Sequence, residues 1–247
     1  ASKAMGKSMP NAAFIHQNKG MGGYIPPETV KKQPIDKSAV EAMYEIIKQH
    51  PKDICIVSLG PHTNVGQLIK EHPDVKDMVN HIYCEGCAAY GNKMEKNWAN
   101  YISFNASFDA FALKIVVESG IPITIIPSRM GRDLANFNEK EVFEIREIND
   151  VGRFFFEMYN QYWEHNYKDR RIATNDTCAV LALREPRLFK TKKCVINVNT
   201  DDMYGRTDFT FTKKGHINYA YKINKKEMHK CFFRAIKKLD NSKFYED

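Results

Sequence analysis

The chain has 247 residues, room for one α/β domain or two small ones, and its 43% hydrophobic content excludes a largely disordered protein. A formal charge of +7 comes from lysines scattered along the chain and from pairs such as Lys192–Lys193 and Lys237–Lys238. No basic run reaches the density of a nucleic-acid arm, and no apolar run reaches membrane-spanning length, so neither nucleic acid nor membrane is the expected partner.

Residues 1–13 are small and polar, with no initiator methionine, which is the pattern expected of a fragment or processed chain. Ala12 to Ile15 leads into His16 and then Gly20, Gly22 and Gly23, a loop able to approach a ligand closely. Pro26, Pro27 and Pro34 keep the next segment extended. Asp36 and Ser38 then start a predicted helix through His50, with Ala39, Met43, Ile46 and Ile47 on its apolar face.

The stretch 53–70 organises the rest. Ile54, Cys55, Ile56 and Val57 predict a strand buried on both faces of a parallel sheet. Leu59-Gly60-Pro61 breaks the run, and Thr63 or Asn64 is placed to N-cap a helix that turns Val65, Leu68 and Ile69 inward. Open α/β sheets bind ligands at the carboxyl edge of their strands, so a site is expected near residues 59–64. His62 stands in that turn and is read as either a pocket residue or a core histidine.

A short helix follows Pro73-Asp74. His81 to Cys84 is the next strand, running into Glu85-Gly86-Cys87 and a long loop that ends at Ser103-Phe104-Asn105. A helix is predicted over 107–119 with Phe108, Phe111, Ala112, Ile115 and Val116 inward, and a strand over 122–126. Two amphipathic helices are predicted over 140–148 and 152–167. The second carries an aromatic stripe from Phe154 to Tyr167 that reads as core. Thr174 or Asp176 caps a helix through Leu183, and 194–198, 208–212 and 217–223 alternate like an antiparallel meander before a last helix over 225–239. The six cysteines are Cys55, Cys84, Cys87, Cys178, Cys194 and Cys231. They sit among apolar neighbours, and the Cys84-x-x-Cys87 pair has no zinc-finger counterpart, so a reduced, intracellular, cytoplasmic chain is expected. The expected fold class is α/β, a mostly parallel central sheet with flanking helices, a C-terminal meander and a final helix. Residues 1–247 are read as a single domain.

The order of motifs is more specific than any one of them. An H-x-x-x-G-x-G-G loop at His16 precedes L-G-P-x-T-N after a strand. E-G…G-N, S-F-N…F-D-A-F-A and N-D-T-C-A-V-L-A-L before P-R-L-F follow, and G-R-T-D-F-T-F…H-I-N-Y-A-Y-K-I closes the series. This order closely resembles the nucleoside hydrolases, which cleave the N-glycosidic bond of ribonucleosides with a bound calcium ion. The resemblance runs from about Pro10 to Leu239. It implies that the Leu59 carbonyl and Asp176 stand at calcium-ligating positions and that Asn105 holds ribose hydroxyls. Ser103 and His16 complete the implied ribose set, and Asn175 stands where one branch of the family carries its leaving-group acid. It also implies a homo- or hetero-oligomer and a nucleoside or ribose ligand.

Departures from the family pattern cluster at site positions. The D-x-D-x-x-x-D-D cluster that supplies the general base and most calcium ligands is absent from this sequence. The glutamate of E-F-N is Ser103, M-G-G reads Glu85-Gly86-Cys87, the histidine acid is Asn175, and the H-G-x-D-G-x-G loop carries Gln17 and Lys19. Hydrolysis needs a carboxylate to activate water, and calcium needs about six to eight oxygens, several of them anionic. Asp109 is read as a packing residue rather than a ligand. The leading expectation is thus a nucleoside-hydrolase-like protein with a degraded site, not catalytic as it stands, with a structural, assembly or ligand-binding role and no cofactor. Two alternatives stay open. One is a calcium-dependent nucleoside hydrolase whose N-terminal segment is missing or supplied by another chain. The other is a basic surface for an acidic partner or nucleic acid.

Overall fold

The computed structural model describes residues 3–6, 34–87, 102–166 and 171–239, without the side chains of 161–166. They gather in two compact units: the described residues within 1–9, 35–131 and 175–223 form the first, and those within 10–34, 132–174 and 224–247 the second.

The first unit is built on one sheet. Its strands are β1 (Cys55–Ser58), β2 (His81–Glu85), β3 (Ile123–Ile126), β4 (Phe189–Val198), β5 (Thr207–Phe211) and β6 (Ile217–Ile223). The spatial order is β1-β2-β3-β6-β4-β5. β1, β2, β3 and β6 run parallel, whereas β4 is antiparallel to both β6 and β5. The expected mostly parallel α/β sheet is therefore present, but its last three strands are not the expected meander: β4 sits between β5 and β6 and pairs antiparallel with both. β3 is buried at every position, as a central parallel strand should be. β1 is not: Cys55, Ile56 and Val57 are only partly buried, because among the described residues β1 pairs on one side only.

Helices cover the sheet. α1 (Ala39–Gln49) starts with a capping box, Ser38 Oγ accepting from Glu41 N–H at 3.1 Å while the Glu41 carboxylate accepts from Ser38 N–H at 3.1 Å. Val40 and Ile47 are its buried residues; Ile46, expected inward, is 51% exposed. α2 (Thr63–Glu71) packs on α5 (Ala110–Glu118), and α3 (Val75–Met78) leads into β2. The helix predicted over 107–119 is two helices, α4 (Phe104–Phe108) and α5, separated at Asp109, whose extended backbone ends one and whose carboxylate caps the other. α5 therefore buries Leu113, Val116 and Val117, while Phe111 is 42% exposed. α8 (Asn175–Arg184) packs on β2 and β3.

The second unit holds α6 (Glu139–Arg146), α7 (Asp150–Asn166) and α9 (Lys225–Lys238). Phe137, Val142, Ile145, Ile172, Phe232 and Ile236 form its core, with Phe155, Phe156 and Tyr159 packed against it. Of the aromatic stripe expected as core, Phe155, Phe156 and Tyr159 are partly buried against it. Among the described residues no helix is long and apolar enough to cross a membrane.

Candidate functional site

The site is built at the carboxyl edge of β1, β2 and β3. Leu59 follows β1, and its carbonyl accepts a hydrogen bond from Asn105 Nδ2 at 3.2 Å. Asn105 lies in the first turn of α4 and is 7% exposed. Its amide also donates to Glu85 Oε2 at 2.6 Å. Glu85 closes β2 and is 4% exposed; Ser128, just beyond β3, donates to its other oxygen, Oε1, at 3.3 Å. One amide thus ties together the ends of β1 and β2, and one carboxyl ties β2 to the segment after β3.

Glu85 is the electrostatic centre of this arrangement. Burial, and then the nearby charge of Asp176 at the start of α8, push its carboxyl up to about 8, while the bonds from Ser128 and Asn105 pull the other way. At neutral pH this carboxyl retains its proton. Held so, it can donate as well as accept. Asp176 itself is exposed.

Several polar atoms at this edge lack hydrogen-bond partners among the described residues. Ser103 Oγ is one, on a residue only 1% exposed at the N-cap of α4; Asn175 Oδ1 and His62 Nε2 are others. Buried polar groups are normally paired, so such atoms mark a place for a ligand, water or a further segment. His62 is fully buried at the N-cap position of α2, with Nδ1 2.7 Å from Ser58 Oγ. Burial drives its imidazole down to about 4, against the opposing charge of Asp109, so it is neutral at physiological pH. Thr63, one of the two expected caps, is instead the first helical residue, and its hydroxyl donates to Asp109 Oδ2 at 2.8 Å.

Asp109 is a packing residue in this structure. Besides Thr63 it accepts from Met5 N–H and, through Oδ1, from Ala112 N–H. The Cys84-x-x-Cys87 thiols are fully buried, and burial lifts Cys84 to about 12 and Cys87 well above its usual value, which makes both poor nucleophiles and metal ligands. Gly86 and Cys87 both have positive φ, 114° and 60°, so the chain turns sharply as it leaves β2. His16 lies outside the described residues.

Of the residues expected from sequence, Leu59, Asn105, Ser103, Asn175 and Asp176 all lie in this unit, on elements that end at or lead from this edge of the sheet. Glu85 and Ser128 were not among them. From sequence, Glu85 is named only as a departure from the M-G-G motif, and it also stands out as a carboxylate closing an otherwise apolar strand.

The described residues do not amount to a calcium site by themselves. They offer one carbonyl that already accepts an amide hydrogen, one exposed carboxylate and one carboxyl that keeps its proton. Calcium takes about six to eight oxygens. No group of three or more His, Cys, Asp or Glu suited to a metal occurs among the described residues.

Comparison with known proteins agrees with the architecture. The chain is 29% identical over 213 residues to the pyrimidine-specific ribonucleoside hydrolase RihA of Salmonella newport (strain SL254), covering 83% of this chain and 65% of that protein. It is 28% identical over 193 residues to the non-specific ribonucleoside hydrolase RihC of Escherichia coli (strain SMS-3-5 / SECEC), covering 77% of this chain and 60% of that protein. The chain thus spans less than two thirds of the length of these relatives. Among solved structures, the purine-preferring ribonucleoside hydrolase from Gardnerella vaginalis superposes with a TM-score of 0.83 at 25% identity, covering 96% of this chain and 78% of that one. The plant nucleoside hydrolase PpNRh1 shares the fold with a TM-score of 0.81 at 20% identity, covering 93% and 76%. The family profile described as inosine-uridine preferring nucleoside hydrolase matches residues 1–246, and with the motif order and the sheet in agreement the chain belongs to the nucleoside hydrolase family.

Proposed function

We propose that this chain binds the ribose of a ribonucleoside at the carboxyl edge of β1, β2 and β3 without hydrolysing it unaided. The observation that carries this reading is the hydrogen-bonded set of the Leu59 carbonyl, the Asn105 amide and the Glu85 carboxyl, together with the Ser103 hydroxyl, which has no partner among the described residues. Such a set places polar groups at the strand ends where a sugar would sit, and a carboxyl pushed up to about 8 leaves little carboxylate at neutral pH to activate water. Asn175 likewise lacks a titratable proton to give to a leaving base. Calorimetry on the 247-residue chain with inosine and uridine, paired with a reducing-sugar assay with and without calcium, tests the reading. Binding without sugar release is expected; release by this chain alone overturns it.

A second reading is favoured by one observation, the partly buried Cys55, Ile56 and Val57 on a strand that pairs on one side only among the described residues. A strand supplied by a further segment or by another chain would cover β1. If it carried the acidic cluster of the family, it would bring a general base and calcium ligands next to Leu59 and Asp176, and ribonucleoside hydrolysis would follow. Intact-mass analysis of the native material separates the two. A longer chain or a tightly held acidic fragment, together with calcium binding, establishes the second.

A further inference from the structure

We propose that the exposed surface of β4 and β6, with the turn that leaves β5, binds the phosphodiester backbone of a single-stranded nucleic acid. This goes beyond the nucleoside reading and does not depend on it.

No long basic run marks this surface in the sequence; the sheet assembles it from three short segments. β4 buries Cys194, Ile196 and Val198 on one side and turns Lys193, Val195 and Asn197 outward. Lys190 stands directly opposite Lys222 of β6, and Lys193 stands opposite Asn218. Thr212 N–H donates to the Lys193 carbonyl at 3.1 Å, which sets the turn carrying Lys213 and Lys214 against the middle of β4. All five lysines are exposed, and none makes an ion pair among the described residues. With about 3.3 Å per residue along a strand and about 4.8 Å between strands, Lys190, Lys193 and Lys222 share a patch roughly 12 Å across. Carboxylates are missing from the same segments. Neither residues 186–200 nor residues 209–223 contain an aspartate or glutamate, in a chain that has 30 of them. Asp208, earlier on β5, is paired with Arg206 at 2.9 Å.

A merely solvated surface does not account for this arrangement. Like charges directly opposite each other in an antiparallel pair are destabilising, as Lys190 and Lys222 are here. Lysines that guard a sheet against unwanted pairing belong on its edge strands. β4 lies between β5 and β6, and β6 lies between β3 and β4, so neither is an edge. A polyanion laid over the strands offsets the repulsion. The cations also suit phosphate better than carboxylate. A planar carboxylate is matched best by an arginine fork, whereas lysine meets phosphate as a point charge. Arg187, the arginine nearest in sequence to β4, is engaged with Glu185 at 3.0 Å. The hydroxyls of the exposed Thr191 and Thr210 and the half-buried Asn218 amide add neutral groups of the kind that contact phosphate and sugar. These groups address the backbone rather than the bases, so binding is independent of sequence.

The test is fluorescence anisotropy of a labelled mixed-sequence RNA of about 20 nucleotides with the 247-residue chain, between about 50 and 200 mM salt. Wild type is expected to bind with a log–log salt slope of roughly −2 to −3.5, as for three to five phosphates at about 0.7 each. K190Q/K193Q/K222Q is expected to weaken binding by about ten-fold or more and to flatten the slope by about 2. K48Q/K70Q/K76Q removes the same charge from exposed positions on α1, α2 and α3 and is expected to change affinity less than about two-fold. Melting temperatures establish that both variants are folded; if the patch variant is not, K193Q against K70Q decides by the same comparison. Equal losses in patch and control variants overturn the proposal, because they mark a response to net charge alone. Absent or salt-insensitive binding of RNA overturns it as well. Tighter binding of polyglutamate, or of phosphatidylserine vesicles, than of RNA at equal salt overturns it in favour of an acidic protein or a membrane surface.

Discussion

Asp109 gathers three donors from three parts of the chain: Met5 N–H, the Thr63 hydroxyl and Ala112 N–H. It is fully buried, so truncation strands those donors and removes the cap of α5. D109A is expected to cost about 3 kcal/mol or more in urea denaturation, since each buried donor left unmade costs about 1–3 kcal/mol. Two other buried groups give stability a pH signature. The Glu85 carboxyl titrates near 8 in the fold, above its ordinary value of 4.5, so the unfolded chain releases that proton first. Stability is then highest below about 4.5 for this group and is lost as pH rises toward 8. His62 runs the other way: with a folded value near 4 against an ordinary 6.5, the unfolded chain takes up the proton first, and stability is lost as pH falls from 6.5 toward 4. The two slopes oppose each other between 4.5 and 6.5, and only Glu85 acts above that window. The melting temperature of wild type is expected to fall between pH 6.5 and 8, and E85Q to flatten that fall; an E85Q profile parallel to wild type would refute it.

At the level of elements, the sequence pattern located helices and strands well and misjudged some of the residues they bury. Hydrophobic spacing put Phe111 inward with Ala112 and Val116 as part of one helix over 107–119, yet Asp109 breaks that helix, and α5 buries Ala112 and Val116 together with Leu113 and Val117 while Phe111 is exposed. No local signal forces the break. It follows from the partners that Asp109 finds at distant positions. Gly66 gives a second example. A methyl group there would come within 2.8 Å of Ala112 Cα and 2.9 Å of its carbonyl oxygen, so α2 and α5 touch backbone to backbone. G66A is expected to destabilise the protein by roughly 1–3 kcal/mol through overpacking, although alanine is the better helix former. A melting temperature equal to or above wild type would contradict this close packing. By contrast, Ser38 was legible as a cap from its position before an apolar period, and the capping box at Glu41 is present.

For the molecule as a whole, the pattern of short apolar strands alternating with helices was enough to anticipate a mostly parallel sheet, because strands buried on both faces need continuous apolar runs. Ile123–Ile126 obeys this rule. The run at residues 54–57 reads the same way but is only partly buried, since a strand's place in a sheet depends on what pairs with it rather than on its own composition. The donor set at the site makes a further whole-chain prediction. Millimolar calcium is expected to leave the melting temperature of the 247-residue chain within about 1 °C, whereas occupancy at a hundred times the dissociation constant would add about 2.7 kcal/mol. A clear calcium-dependent rise would show that the chain assembles an oxygen shell that the described residues do not provide.

The sequence by itself determined the family and the alternation of strands and helices, and it singled out Leu59, Asn105, Ser103, Asn175 and Asp176 as candidates, because these are carried by local motifs in a fixed order. Only the tertiary structure decided that Glu85 bonds to Asn105 and Ser128 and that Asp109 is a tie between segments. It also decided that the Leu59 carbonyl accepts the Asn105 amide. Those outcomes depend on contacts between residues 20 to 104 positions apart and on the removal of water around them. A one-dimensional pattern carries neither the distance between two such residues nor the dielectric that surrounds a carboxyl.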